Sequence, residues 1–415
     1  MGNKASAPPL AVKGEAIRLE RIPLATASES LLSEWKEFEA NSTPDSPTRD
    51  PDWLRGYFLE DLDKITSYLL YNRSDSVSGS ASFLLKEDWP LRLHLGELTI
   101  AELPLRRLRF LGGAPALPED ESLYDRLFRE LIATEGYDAL CFTQIPVESF
   151  LWKYVTTSRL VREEFYRYKP EDASPHPLLR FGASFEEYMK SNFSANHRYK
   201  LRRKVTKFQE KAVGGLKLVR CTRPEDVARF LDAAVQVSRK TYQWNLHQRG
   251  LRATERFERR FRFAAEHGWF RSYLLICGET PCAFLGGYQW RGRYYHDELG
   301  FDPAFTQHNP GTVLQLMAIQ DMFNYQRPEF IDFGSYDEYK EELATESYFH
   351  CDMMLLRRRP YCRFVQAAHY ACRLTTRVAV RVLRGLNLKS RLKKLVRDRS
   401  VRAEQAPAAS GEQRR

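Results

Sequence analysis

Several features that would place this chain in common protein classes are missing from its sequence. The 415 residues contain no apolar run long enough to cross a bilayer, so we do not expect an integral membrane protein. No N-terminal segment has the apolar core of a signal peptide, and we therefore expect a cytoplasmic protein. The seven cysteines form no Cys-x-x-Cys pair and the nine histidines no His-Glu-x-x-His motif. Neither a disulfide framework nor a metal site is predicted.

The net charge of +10 is not spread evenly along the chain. Fifteen lysines and arginines lie between Arg357 and Arg402, and Asp398 is the only acid among them. The rest of the chain is therefore close to neutral, and the basicity belongs to one C-terminal appendage. Such a distribution gives no reason to expect that the whole protein binds nucleic acid, and we consider a nucleic-acid partner unlikely.

The appendage has the pattern of an amphipathic helix. Arg373, Arg377 and Arg381 recur at helical spacing, and apolar residues such as Leu374 and Val378 fall largely on the opposite side. Two interpretations remain open. The helix lies on an anionic membrane surface, or it packs its apolar face against the protein and leaves the arginines in water.

Turn residues and composition divide the chain into five predicted segments. Three prolines in 170–177 indicate a linker between two α/β domains. The segments are a disordered N-terminus (1–14), an N-terminal α/β domain (15–170), a second α/β domain (171–357), a basic helical extension (358–400) and a disordered tail (401–415).

The second domain has a characteristic order of predicted elements. Three antiparallel strands end with 293–301, and a helix over 312–325 then leads to a short strand at 330–334. A strand–helix–strand crossover makes its two strands parallel neighbours, so the prediction is a mixed sheet with a splay. Ligands of open α/β sheets bind where the carboxyl ends of the strands diverge.

The loop between Phe301 and Thr312 enters the crossover helix. A helix start presents unpaired N–H groups and the positive end of the helix dipole, and Gly311 permits close approach to the backbone. The loop is therefore a candidate cradle for a diphosphate, although a strand–loop–helix connection with one glycine also serves as a plain structural turn.

Four stretches, taken in their order and spacing, resemble the GNAT acyltransferase fold: 194–204, 300–305, 309–314 and 332–340. More narrowly they resemble the CelD/BcsL-type acetyltransferase domain, which is related to the FemAB group of paired-GNAT proteins. The likeness spans residues 180–357, and the N-terminal domain fits a degenerate first copy. It implies a mixed α/β fold with two tandem GNAT-like domains.

The resemblance also implies an activity, namely transfer of an acyl group from acetyl-CoA or another acyl-CoA to an amine or hydroxyl. Acyl-CoA would lie in the splay, with its diphosphate on the loop. The implied acceptor is a small molecule or glycan of polysaccharide or cell-envelope metabolism. The implied cofactor contacts are Leu299, Phe301, Gln307, Asn309, Gly311 and Thr312.

Acyl transfer needs a base for the nucleophile and a proton for the leaving thiolate. Side chains alternate along a strand, so Tyr294, His296 and Glu298 are predicted to share one face of 293–300. Glu298 or His296 is the candidate base, and Asp297 replaces them if the register is opposite.

Residues near the second strand of the crossover are further candidates. Asp332 either contacts substrate or caps the turn that follows it. Tyr339 is a candidate acid for the thiolate and Lys340 a candidate substrate contact, unless both only cover the rim of the sheet.

The helix predicted over 194–211 is basic, and it carries the candidate substrate contacts Arg198 and Arg202. It either binds an acidic glycan, a phosphate or RNA, or it is a solvated helix face. In a second functional hypothesis the protein is a FemAB-like transferase that uses aminoacyl-tRNA, and this helix contacts RNA. The third is a membrane-associated binding protein without turnover, peripheral at the inner surface of the membrane.

Overall fold

The computed structural model describes residues 18–42, 46–86, 89–96, 98–241, 251 and 254–385. The predicted disordered ends at 1–14 and 401–415, and the extension beyond 385, lie outside these residues. The described chain forms two compact units, the first containing residues up to 174 together with 348–376 and the second containing 175–347 together with the described residues from 377 onward. None of the helices in the described ranges is both long enough and apolar enough to cross a membrane.

The strands of the described residues, in chain order, are β1 (Arg18–Pro23), β2 (Ile65–Tyr71), β3 (Val77–Lys86), β4 (Leu91–Leu95), β5 (Leu98–Leu103), β6 (Arg107–Ala116), β7 (Ala139–Pro146), β8 (Phe165–Tyr168), β9 (Ser174–Arg180), β10 (Leu216–Cys221), β11 (Ser272–Cys277), β12 (Thr280–Trp290), β13 (Arg293–Phe301), β14 (Phe330–Asp332) and β15 (Glu346–Arg357). The α-helices are α1 (Glu29–Asn41), α2 (Pro51–Tyr57), α3 (Glu121–Ala133), α4 (Phe150–Thr157), α5 (Arg159–Glu164), α6 (Phe185–Asn192), α7 (Ala195–Lys211), α8 (Asp226–Ser238), α9 (Glu255–Glu266), α10 (Pro310–Asn324), α11 (Glu338–Leu343) and α12 (Pro360–Gly385).

The sheet of the first unit runs in the order β1-β2-β3-β6-β7-β15, with β8 also paired to β15. Its neighbours are antiparallel except β6 and β7, which are parallel and connected through α3. That parallel pairing extends over only three residue pairs, from Arg107–Ala139 to Arg109–Cys141. Phe128 of α3 packs against phenylalanines 83, 110 and 142 of the sheet in the core of this unit.

The sheet of the second unit runs in the order β9-β14-β13-β12-β11-β10. The predicted crossover is present, because β13 and β14 are parallel and α10 connects them. The apolar α10 packs on one face of the sheet, where Leu285 and Tyr294 join its core. On the other face Phe230 of α8 and Phe261 of α9 contact Phe284 and Tyr288 of β12.

The predicted linker at 170–177 is wrong over its second half, because β9 begins at Ser174. Proline is tolerated there since the pairing of β9 with β14 involves only 178–180, beyond Pro175 and Pro177. Neither proline therefore removes a hydrogen bond from that pairing.

Two further element predictions differ from the structure. The sequence predicts one strand over 91–100, but these residues form a hairpin, β4 and β5, that turns at Gly96 with a φ of 62°. Gly112 and Gly113 predict the end of a strand, but β6 continues past them to Ala116. Local turn residues are weak signals where strand pairing stabilises the extended chain.

The sequence predicts a strand over 348–357 as the last element of the second domain, but this segment belongs to the first unit. β15 pairs with β7 from His350–Pro146 to Leu356–Ala139, and with β8 from Met354–Tyr168 onward. The domain boundary predicted at 357 therefore differs from the division in the structure, which returns the chain to the first unit at Tyr348. Pairing partners this distant in sequence leave no mark on a local pattern.

A buried arginine holds the C-terminal end of α10. Arg271 donates hydrogen bonds to the carbonyl oxygens of Tyr325 and Gln326, each at 2.8 Å, and to the Tyr273 hydroxyl at 2.7 Å. The same hydroxyl donates to Asp321 of α10 at 3.0 Å. Carbonyls at the end of a helix lack partners in the helix, so Arg271 satisfies groups that burial would otherwise leave unpaired.

We expect Arg271→Leu to lower the free energy of unfolding by about 3 kcal/mol, because it leaves buried carbonyls and part of the Asp321 charge without partners. Urea denaturation measures the change. The control is Arg159→Leu, since Arg159 is exposed and forms a surface ion pair with Glu163 at 2.6 Å; it should alter stability by no more than about 0.5 kcal/mol. Equal effects of the two substitutions would contradict the assignment.

Candidate functional site

The strands β13 and β14 part after three residue pairs. Their pairing runs from Arg293–Phe330 to Tyr295–Asp332, and the next residue, Phe333, donates its N–H to the Pro177 carbonyl of β9. The chain after β14 therefore follows β9 and leaves β13. From residue 296 onward, β13 pairs with β12 on one side, and within the described residues no strand pairs with it on the other side. The predicted splay thus opens at the carboxyl ends of these two strands.

The start of α10 presents two open amide groups at this end of the sheet. Asn309 is in the left-handed conformation, with a φ of 51°, and its side chain does not cap the helix. Pro310 has no N–H, and Val313 donates to the Asn309 carbonyl at 3.1 Å. The N–H groups at 311 and 312 have no hydrogen-bond partner among the described residues. Two free donors at the positive end of a helix are suited to binding an anion.

The other part of the predicted cradle, from Asp302 to His308, makes contacts within the protein. Asp302 donates its N–H to the Cys282 carbonyl, and its side chain accepts from the Ala304 N–H and pairs with Lys240 at 2.7 Å. Residues 303–308 form a 3-10 turn, on which Gln307 is exposed. The open part of the cradle is therefore restricted to two amides.

Leu299 and Phe301 lie directly beneath the helix start. A Cβ built on Gly311 would lie 3.5 Å from Phe301 Cδ1 and 3.8 Å from Leu299 Cδ2, which is ordinary van der Waals contact. Glycine is thus not required here to avoid a clash between protein atoms. Leu299 and Phe301 thus lie beside the helix start that contains Asn309, Gly311 and Thr312, and the role of these residues in binding a cofactor stays a prediction.

A β-bulge changes which residues of β13 share a face. His296 pairs with Gly287 and Glu298 pairs with Gly286, so Asp297 has no counterpart on β12. A Cβ built on Gly286 would lie 3.7 Å from Phe230 of α8, which places its partner Glu298 on that face. The prediction that Glu298 shares a face with His296 is wrong, because the extra residue of a bulge resets the alternation.

His296 lies on the α10 face and lines a small cavity. Tyr294 and Gln315 line the same cavity among apolar side chains. Both ring nitrogens of His296, the Tyr294 hydroxyl and the Gln315 side-chain carbonyl have no hydrogen-bond partner within the described residues. Burial, with a further effect of the Lys340 charge, lowers the pKa of His296 to about 3. The imidazole is neutral at pH 7 and is a weak base compared with Glu298.

Glu298 and Asp297 have raised pKa values. Burial, with a contribution from the Asp297 charge, raises the pKa of Glu298 to about 7. Asp297 is partly exposed, but loss of solvent around its carboxyl group raises its pKa to about 6. The charge of Arg260 has a smaller effect in the opposite direction. Neighbouring carboxyl groups titrate as a pair, and a pair that exchanges a proton near pH 7 is suited to general base catalysis.

Asp332 is engaged in contacts within the fold. Its Oδ1 accepts hydrogen bonds from His176 Nε2 at 2.7 Å and from the Gly334 N–H at 2.9 Å. Burial acts to raise the pKa of Asp332, but these bonds and the charges of His176 and Arg293 outweigh it and hold the pKa below 3.8. The carboxylate caps the turn after β14, which was one of its two predicted roles.

Lys340 and Tyr339 differ in what they can offer a substrate. Lys340 is buried, donates to the Ser335 carbonyl at 3.0 Å and has a pKa lowered by burial. Its ammonium group is bound by the turn before α11, and its role as a substrate contact stays a prediction. Tyr339 is half-buried, and burial raises its pKa, so its hydroxyl keeps its proton at pH 7. That is the state an acid requires, and its catalytic role stays a prediction.

The two arginines predicted to bind substrate have partners in the fold. Arg198 donates to the Phe193 carbonyl at 2.6 Å, and Arg202 pairs with Glu186 at 2.5 Å. The exposed positive charge of α7 comes from other side chains, among them Lys200, Arg203 and Lys207.

Three site residues have no local signal in the sequence. His176 belongs to a segment predicted as a linker, Lys240 lies two residues beyond the end of α8, and Gln315 is one polar residue in an apolar helix. Only the fold brings them to Asp332, Asp302 and the cavity, so sequence reasoning missed them.

Residues 195–341 match the acetyltransferase (GNAT) domain family. The chain therefore carries a GNAT acetyltransferase domain, which confirms the prediction of a GNAT-type acyltransferase; the narrower CelD/BcsL assignment stays a prediction. No curated protein matches the sequence significantly.

Similar solved structures extend over most of the chain. The crystal structure of FemX is 10% identical with a TM-score of 0.56, covering 84% of this chain and 100% of FemX. A tandem GNAT protein from the clavulanic acid biosynthesis pathway is 12% identical, with a TM-score of 0.46 and coverage of 81% and 98%. L-PGS from Bacillus licheniformis is 14% identical, with a TM-score of 0.44 and coverage of 82% and 99%. The FemX likeness concerns the fold, and the predicted mixed α/β architecture with tandem GNAT-like units is confirmed.

We expect Thr312→Glu to abolish the rise in melting temperature that coenzyme A produces. A carboxylate in the first turn of α10 repels a diphosphate, while its interaction with the helix dipole keeps the unliganded protein at least as stable. Differential scanning fluorimetry with and without coenzyme A measures both effects.

The matched control is Gln320→Glu, which adds the same charge to an exposed position of α10 two turns away. It should retain the coenzyme A shift. A full shift in Thr312→Glu would remove these amides from the site.

Proposed function

We propose that this protein is an acyl-CoA-dependent N- or O-acyltransferase whose donor lies between β13 and β14. The observation that carries the proposal is the pair of open amides at Gly311 and Thr312, located where these two strands part. The N–H groups would bind the diphosphate of the donor. The gap beside β13 would receive its pantetheine arm and bring the thioester toward the bulge at Asp297.

We assign donor binding to the second unit alone, and the corresponding helix of the first unit supports this. There the side chain of Asp120 caps α3, accepting hydrogen bonds from the N–H groups of Ser122 at 2.8 Å and Leu123 at 3.3 Å. Glu119 and Glu121 add negative charge beside it. An occupied, anionic helix start repels phosphate, so we interpret the first unit as a degenerate copy.

We assign the general base to Glu298. Its carboxylate takes the proton of the acceptor amine or hydroxyl, directly or through a water, as the nucleophile attacks the thioester carbonyl. The C–S bond breaks, and the thiolate leaves and takes up a proton. Tyr339 is our candidate for that donor, because its raised pKa keeps the hydroxyl protonated. The acceptor then approaches from the α8 face, to which Glu298 belongs.

For the acceptor we propose a sugar or a cell-envelope polysaccharide precursor, on the basis of the CelD/BcsL resemblance. We place the reaction in the cytoplasm, which suits a chain whose seven cysteines are all free. The FemX-like fold keeps aminoacyl transfer from aminoacyl-tRNA as the second candidate, with the exposed lysines of α7 as the RNA contact.

Ligand-induced stabilisation separates these hypotheses. If the donor is an acyl-CoA, acetyl-CoA present at about 100 times its dissociation constant stabilises the folded state by about 2.7 kcal/mol, and tRNA gives no shift. Stabilisation by tRNA alone would favour the second candidate. Stabilisation by acyl-CoA with no product from any amine or hydroxyl acceptor would identify a binding protein.

We expect kcat/KM to rise with pH through about 7 as Glu298 loses its proton, and Glu298→Gln to lower it by about 10²- to 10⁴-fold. Activity assays across this pH range provide the test. The exposed Glu279→Gln should leave the profile unchanged.

Thermal denaturation of the same variant tests the raised pKa of Glu298 independently of activity. The folded state holds the Glu298 proton more tightly than the unfolded state, whose pKa is near 4.5. Its contribution to stability is therefore present below pH 4.5 and is lost as the pH rises toward 7. Glu298→Gln should accordingly melt at a higher temperature than the wild type at pH 8, and a lower melting temperature there would contradict the assignment.

A further inference from the structure

The C-terminal helix α12 packs on the first unit with one face. Cys362 and Val365 are fully buried, and the His369 ring is hydrogen bonded to Tyr168. Further along, the Thr376 hydroxyl donates to the His94 carbonyl at 3.3 Å. The residues of this packed face recur every three or four positions, at Cys362, Val365, His369, Cys372 and Thr376.

A second set of residues has the same spacing and lies two positions further along. All five are apolar and exposed; Phe364 is 58% exposed and Leu374 is 51% exposed. Each helical residue adds a rotation of about 100°, so a shift of two positions places this set opposite the packed face. We call it the exposed stripe, and it consists of Phe364, Ala367, Ala371, Leu374 and Val378.

The exposed stripe decides between the two arrangements predicted for this helix. An amphipathic helix of a globular protein turns its apolar stripe toward the core. Here the helix is anchored through a different face, and aromatic and aliphatic side chains point to solvent. A row of apolar side chains left exposed in this way is typical of a surface that binds a partner.

The charges beside the stripe indicate the kind of partner. Arg363, Arg377 and Arg381 are exposed and recur along one edge of the stripe. The sequence from 386 to 402, outside the described residues, adds seven lysines and arginines with one acid. Apolar side chains bordered by arginines match a surface that offers both hydrocarbon and phosphate, whereas an RNA partner would leave the stripe in water.

We propose that α12 lies on an anionic membrane surface through the exposed stripe. Phe364, Leu374 and Val378 enter the boundary between headgroups and acyl chains, and the arginines contact lipid phosphates. The packed face stays on the first unit, so the protein binds the bilayer without unfolding any part of itself. Binding should weaken with added salt because part of the attraction is electrostatic.

The test is flotation of the full-length protein with two kinds of vesicle, phosphatidylcholine alone and phosphatidylcholine mixed with phosphatidylglycerol. We expect binding to the mixed vesicles only. Phe364→Ser combined with Leu374→Ser keeps every charge and removes the largest apolar groups of the stripe. It should lower binding by about tenfold or more, with an unchanged melting temperature since neither side chain is buried.

The matched control combines Tyr199→Ser with Val213→Ser, which alters exposed apolar side chains of the second unit. It should bind as the wild type does. Equal binding to both vesicles, or unchanged binding of the stripe variant, overturns the proposal. So does a wild-type dimer that the stripe variant converts to a monomer while vesicle binding persists, because the stripe would then contact a second copy of the chain.

Discussion

The candidate site depends on one constraint, the brevity of the pairing between β13 and β14. Parallel strands are held by evenly spaced hydrogen bonds along their length, and here that ladder stops after three residue pairs. Beyond these pairs Phe333 donates its N–H to Pro177 of β9, and the described residues show no further pairing of this segment with β13. The strands consequently diverge beside the N-terminal end of α10, where two amides are open. A longer β14 would extend this ladder along β13 beyond Tyr295 and keep the two strands together.

The two ends of α10 differ in whether their backbone groups have hydrogen-bond partners. At its C-terminal end the buried Arg271 and Tyr273 provide partners for carbonyls and for Asp321. At its N-terminal end Asn309 does not cap the helix. The hydrogen bonds at the C-terminal end fix the position of the helix, and the open N–H groups at the other end leave its positive end accessible. This arrangement favours anion binding over ordinary capping. In the first unit Asp120 caps the crossover helix, and the same topology lacks that property.

The bulge at Asp297 separates two kinds of polar environment on one strand. His296 faces α10 in a cavity where it is neutral, whereas Glu298 faces α8 and titrates near pH 7. Strict alternation would have placed both groups on one side of the sheet. The extra residue therefore determines the face of the sheet on which Glu298 lies, and in the proposed mechanism it also sets the face from which the acceptor approaches.

Much of the second unit was predictable because its signals are local. The strand 293–301, the helix after it and the basic helix over 194–211 follow from periodicity within a few residues. The sequence by itself determined the crossover, the open helix start and the amphipathic C-terminal helix. Only the tertiary structure decided that β15 joins the first unit, that Glu298 and His296 face apart, and which side of α12 is packed. These outcomes depend on pairing between distant residues and on a single extra residue in a strand, and neither leaves a periodic trace in the chain.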